Sequence, residues 1–119
     1  MTASGASSLT DPARAISYLE EISPEMRGCA ILDGDGGVLA ASGDSPDAWK
    51  GPARELLEAA DAVTDEAASH VHIATGDGEV FCVRHAGLVA IAVAERFVLS
   101  SLMMFDLRTA LRELATEGA

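Results

Sequence analysis

The run LVAIAVA, Leu88 to Ala94, constrains this chain more than any other part of it. Every side chain in it is apolar, so as a strand it presents two faces that both need cover. Such a strand belongs in the interior of a sheet with helices packed above and below. The segments before it supply neighbours. SHVHIAT (Ser69 to Thr75) and GEVFCVRH (Gly78 to His85) read as two more strands, joined to each other by Gly-Asp-Gly and to the apolar run by Ala-Gly, so the three form a meander. Upstream, RGCAILD (Arg27 to Asp33) and VLAAS (Val38 to Ser42) flank GDGG and read as a hairpin.

Three helical segments surround these strands. Asp11 is placed to cap the first, and Pro12 falls where its missing N–H costs nothing. Ile16, Leu19 and Ile22 then recur on one face until Pro24 restricts Ser23. Ser45 and Pro46 repeat the signal before a second helix that carries Leu56, Leu57, Ala60 and Val63 on one stripe and runs to about Val63. Gly51-Pro52 either kinks its start or delays regular helix until Pro52. The third runs from about Leu99 to Leu114, with Leu99, Leu102, Met103, Leu107, Ala110, Leu111 and Leu114 on a broad apolar face and Arg108, Arg112 and Glu113 elsewhere. Residues 1–10 are small and polar and are expected to fray, residues 11–116 form one domain, and 117–119 are a short tail.

Composition narrows the function classes. Nineteen acidic residues against eight basic ones give a net charge of −11, a field that repels nucleic acid and anionic membrane and favours a basic partner surface. No apolar stretch is long enough to span a bilayer and no signal peptide is evident. Cys29 and Cys82 lie within apolar strand-like runs, as buried thiols do in a cytoplasmic protein.

The aspartate-glycine turns invite a metal or phosphate reading that their spacing does not support. Counting an EF-hand loop from Asp33 puts Val38 where glycine must make the bend and Asp44 where glutamate must close the cage. A phosphate cradle needs glycines that feed a helix, usually with a lysine, whereas these feed a strand and Lys50 is the only lysine. The turn reading is simpler: Asp33 and Asp35 hold the turn, Asp35 bonding to its own backbone, and Gly36 and Gly37 accept positive φ. The Gly76 to Gly78 turn reads the same way. His70, His72, Cys82 and His85 have no spacing typical of a closed zinc site, and no nucleophile-base pair or paired carboxylates rise above background, so neither metal, cofactor nor catalytic residue is expected. Trp49, in the polar stretch DSPDAWKG, either marks a contact surface or closes the lip of the core. Leu102 to Phe105 is apolar nearly all round, which leaves Met104 and Phe105 as candidates for binding a partner.

Several segments together resemble the Roadblock/LC7 family: the opening amphipathic helix, the hairpin GCAILDGDGGVLAASG, the alanine- and leucine-rich second helix, GEVFCVRHAGLVAIAVAE, and FVLSSLMMFDLRTALREL. The resemblance spans Asp11 to Leu114. It implies a roadblock/profilin-like α/β fold of order α-β-β-α-β-β-β-α, a five-stranded antiparallel sheet with the first and last helices on one face and the middle helix on the other. It also implies a homodimer, or pairing with a related chain, through the second helix and the strand after it, which places Leu56, Leu57, Ala60, Val63, His70 and His72 at or near a two-fold axis. Charging those histidines would then loosen the dimer. Roadblock/LC7 proteins are non-catalytic scaffolds or regulators of small Ras-like GTPases, and Pro52 is unusual in their dimer-forming helix. No conventional arginine finger can be assigned, because Arg27, Arg54, Arg84 and Arg96 are each explicable as surface charges. A small-ligand sensor of the PAS or GAF type shares the architecture but needs an internal pocket, and this core looks filled. An enzyme is the weakest reading.

Overall fold

The computed structural model of the protein describes residues 11–63, 66–96 and 98–118; the tail expected over 1–10 lies outside them. Helix α1 (Pro12–Ile22) begins as its cap demands. The Asp11 carboxylate accepts from the Ala13 N–H at 3.0 Å, Pro12 occupies the first turn, and the helix closes on Ser23, whose N–H returns to the Leu19 carbonyl. Strands β1 (Met26–Leu32) and β2 (Val38–Ala41) form the hairpin. A single 3₁₀ turn, Pro46–Trp49, leads into α2 (Lys50–Asp61), then come β3 (His70–Ala74), β4 (Glu79–His85), β5 (Leu88–Ala94) and α3 (Ser100–Gly118).

The strands form one antiparallel sheet in the order β2-β1-β5-β4-β3. The doubly apolar β5 therefore lies at its centre, hydrogen-bonded to β1 on one side and β4 on the other. Its small residues face one way: Ala90, Ala92 and Ala94 pack with Cys29, Ile31, Phe81 and Val83 beneath Ile16 and Leu19 of α1 and Met103, Leu107 and Leu111 of α3. Two helices fit on that face because the strand beneath them is lined with alanine. On the other face, Val89 and Ile91 join Ala30, Leu32 and Cys82 under Ala53 and Leu57 of α2, with Trp49, Leu56 and Val71 at the margin.

The helix boundaries differ from expectation in three places. The second helix does not wait for Pro52: it starts at Lys50 on the 3₁₀ turn, and Pro52 falls in its first turn, where backbone N–H groups lack helical partners anyway. The Ser45 side chain makes no capping hydrogen bond. At the other end the helix stops at Asp61, so Val63 is not on its stripe; it is 81% exposed, its N–H turned back to the Ala60 carbonyl. At that end the Asp61 carboxylate is taken by the Ala68 N–H and by Arg84, which ties Ala68 and β4 to the last residue of the helix. Finally, α3 runs to Gly118, past the expected end at Leu114 and into the expected tail, because no helix breaker intervenes.

Candidate functional site

The first hairpin turn is held by Asp33 rather than Asp35. Asp33 Oδ1 accepts the N–H of Asp35 and of Gly37, both at 2.9 Å, while the Asp33 backbone closes on Gly36 and Gly37. Of the two glycines only Gly36 has positive φ, at 91°; Gly37 is wanted because a Cβ there would come within 3.0 Å of the Asp33 carboxylate. The second turn is corrected likewise. Thr75 Oγ1 accepts from the N–H of Asp77 and of Gly78, and neither glycine there is left-handed. Carboxylate and hydroxyl alike are occupied by backbone, which accounts for both motifs as turns.

The cysteines are buried on opposite faces of the sheet, Cys29 under α1 and α3 and Cys82 under α2, so the sheet separates them. Burial pushes the Cys29 thiol up to about 12 and the Cys82 thiol up to about 11, which leaves neither as a thiolate nucleophile at neutral pH. Among the described residues no three His, Cys, Asp or Glu side chains converge on a metal-sized site.

Arg27 and Arg84, both read as surface charges, also tie neighbouring segments together. Arg84 forks onto both Asp61 oxygens at 2.8 and 2.9 Å and also donates to the Ala68 carbonyl, pinning the α2–β3 loop to β4. The Arg84 hydrogen bonds, with the Ala68 N–H, bring the Asp61 carboxyl down to about 2. Arg27 forks onto Glu95 and reaches the Asp77 carbonyl, fastening the β3–β4 turn to the end of β5.

The residues expected at a dimer interface do not share one surface. Leu57 turns toward the chain's own sheet and packs into the core, whereas Leu56 stands half-buried at its rim and Ala60 is half-buried outside that core. On β3 the histidines face the α1–α3 side: His72 pairs with Phe81 across the ladder, stacks on its ring at 4.4 Å, and meets the buried Glu79 carboxylate at 2.7 Å. His70 Nδ1 lies 3.3 Å from the Ser69 hydroxyl. The alternate residues, Val71 and Ile73, point to the α2 side.

What the structure assembles there is an apolar groove of about 440 Å³ lined by Ala48, Trp49, Pro52, Leu56, Ile73, Val80, Ile91 and Val93. It runs between the start of α2 and β3, because α2 covers only part of its face of the sheet. Trp49 forms one wall while packing its ring over Gly28, where a Cβ would lie 3.2 Å from it. The indole thus closes the lip of the core and borders the groove at once. Ile73 was overlooked in the sequence, though the alternation of Val71 and Ile73 with His70 and His72 marks it as the apolar face of a strand. Met104 is half-buried against the α1–α3 core, and Phe105 is exposed on the far side of the molecule. A wider open trench of about 520 Å³ lies at the other end of α2, with Leu32, Leu57 and Val89 at its base and Arg54, Glu58, Arg84 and His85 around it. Among the described residues no helix is long and apolar enough to cross a membrane.

No family model matches the chain and no curated protein matches it. Solved structures do match. A Roadblock/LC7 domain from Streptomyces avermitilis superposes with a TM-score of 0.79 at 16% identity, covering 89% of this chain and 96% of that one. The gliding protein MglB from Thermus thermophilus gives 0.71 at 17% identity, over 90% of each chain. Profilin IB from Acanthamoeba castellanii gives 0.60 at 17% identity, over 87% of this chain and 98% of that one. The fold is the roadblock/profilin-like α/β fold, with α1 and α3 on one face of a five-stranded antiparallel sheet and α2 on the other.

Proposed function

We propose that the chain is a non-catalytic dimeric module that binds and modulates a small Ras-like GTPase, pairing with a second copy or a related roadblock-type chain. The observation that supports this reading is the apolar groove between α2 and β3, next to the outer edge of β3, which has no strand beside it among the described residues. An open strand edge and an uncovered apolar strip side by side are liabilities in a monomer, and a two-fold copy placed edge to edge removes both. Leu56, Ile73 and Trp49 are the side chains such a copy would cover. Leu57 belongs to the monomer core, and Val63 would touch a partner only through its loop. The resemblance to Roadblock/LC7 proteins supplies the GTPase, and the acidic surface would steer encounter with a basic patch on it.

Light scattering coupled to gel filtration tests both halves. The protein alone is expected at twice its chain mass of 12.3 kDa, and Leu56→Glu is expected to return it to monomer. Mixed with a Ras-like GTPase encoded beside it, the dimer is expected to shift to a larger complex in one nucleotide state. A monomer at micromolar concentration, or no complex with either nucleotide, refutes the corresponding half.

A small-ligand sensor remains the second reading, favoured by the trench around Arg54 and His85, whose volume falls in the range of ligand sites. Ligand-dependent thermal stabilisation, lost on substituting Val89 at its base, would support it.

A further inference from the structure

The sheet face opposite α2 carries a surface that dimerisation through α2 and β3 leaves uncovered. Where the end of α1 meets the start of α3, Leu99, Leu102 and Phe105 are each more than half exposed, and Ile22 is 39% exposed beside them. They recur every third residue and so climb one flank of the helix, away from Met103, Leu107, Ala110 and Leu111, which face the core. Single exposed leucines are ordinary on a surface, whereas a contiguous set of them is not.

At the centre of this patch is a cleft of about 120 Å³ between Ile22 and Leu102, walled by Ser23, Glu25, Met103 and Asp106. It is too small for a metabolite and large enough for one long side chain. Its apolar walls end at two carboxylates, and among the described residues no lysine or arginine lines it. The buried Ser23 hydroxyl bonds to the Asp106 carboxylate, while burial nonetheless raises the Asp106 carboxyl above its ordinary value, so the acid is partly stripped of water. Glu20 and Glu21 continue the negative charge along the last turn of α1.

An apolar stem with a cationic head matches that chemistry, and it describes lysine and arginine. We propose that this end of the α1–α3 face docks a basic amphipathic helix of another protein, whose apolar ridge covers Leu99, Leu102 and Phe105 and whose Lys or Arg enters the cleft to meet Asp106 and Glu25. A second copy of this chain is a poor occupant. Each copy carries nineteen acidic residues against eight basic ones, a net charge of −11 that sets two acidic surfaces against each other, and its two longest helices are apolar on the faces they bury. The surface lies across the sheet from the α2 groove and does not depend on a GTPase or on dimerisation.

The test uses the full-length protein and synthetic amphipathic helical peptides with one shared leucine pattern, their polar positions all lysine, all glutamine or all glutamate. Only the lysine peptide is expected to bind saturably, with amide shifts in NMR spectra confined to Ile22–Glu25 and Val98–Asp106. Affinity is expected to fall about tenfold both in Asp106→Asn and in the double variant Leu102→Gln, Phe105→Gln, in line with the loss of a central contact. The double variant alters only exposed side chains, so it reports even if Asp106→Asn disturbs the fold. No saturable binding, shifts spread over the acidic surface, or unchanged affinity in the double variant would overturn the proposal. So would self-association that the double variant abolishes, which would make a second copy the occupant.

Discussion

The turn between β3 and β4 contains two glycines that respond oppositely to the same substitution. A Cβ placed on Gly78 would lie 2.6 Å from the Ala94 carbonyl oxygen and 3.0 Å from Arg27 Nη1. Neither neighbour yields easily. Ala94 is paired with Glu79 in the β4–β5 ladder, and Arg27 is held by Glu95 at 2.8 and 2.9 Å and by the Asp77 carbonyl. Gly78→Ala must therefore pry β4 from β5 at their shared end. Overpacking of this kind costs about 1 to 3 kcal/mol, set against the roughly 0.4 to 1 kcal/mol that alanine gains by restricting the unfolded chain. The net loss is about 1 to 2 kcal/mol, or roughly 4 to 8 °C in Tm for a domain of this size. A Cβ on Gly76 would meet nothing within 4 Å, and the residue has no left-handed φ, so Gly76→Ala is expected to keep the gain alone and raise Tm slightly. Thermal and urea unfolding followed by circular dichroism measure both. Equal effects from the two substitutions, or a Gly78→Ala protein as stable as the parent, would refute the close-approach explanation.

Other expectations are checked by similar means. The β4–β5 turn holds Ala86 at φ 52° and Gly87 at 80°, a left-handed pair in which alanine is strained, so Ala86→Asn is expected to stabilise by about 0.5 to 1 kcal/mol in urea titrations. Asp61 has a folded pKa lowered to about 2 from 3.8, so its contribution is present above the unfolded value and is lost as pH falls through about 2. Asp61→Asn should flatten the stability profile between those two pH values, and an unaltered acid limb would refute the tie to Arg84. Leu107→Ala, at a fully buried site between α3 and the sheet, should cost about 2 to 5 kcal/mol. Both cysteines should resist a thiol reagent at pH 8 in the native protein and react on unfolding; rapid labelling of either would contradict its burial.

Much of the architecture was legible because it depends on local pattern. The doubly apolar β5 announced its central place, the Asp11-Pro12 cap set the start of α1 to the residue, and the glycine-marked turns gave the hairpins. What escaped depended on partners distant in the chain. Nothing near Asp61 indicates that it binds Arg84 at the end of α2, since the two are brought together only by the sheet. The stripe of Leu56, Leu57 and Ala60 was visible, but a stripe does not say whether it faces its own sheet or another chain; Leu57 answers one way and Leu56 nearly the other. The groove itself was illegible, because it is the part of the sheet that α2 fails to reach, and a helix's position on a sheet is set by packing around Trp49 and Gly28. In the first turn Asp33 and Gly36 act as read, while Asp35 contributes its N–H rather than its carboxylate; in the second, Thr75 does the work expected of the glycines.

Because α1 and α3 lie on the same face of the sheet, a tag joined ahead of α1 or behind α3 is attached to the layer opposite α2. Anchored to a sensor chip by either route, the protein would turn its α2 side toward the solution and its helical pair toward the support. Immobilisation chemistry thereby becomes a choice of which side a binding screen interrogates, and partners recovered with coupling through the ends can be compared with those recovered through Lys50, which tethers from the α2 layer.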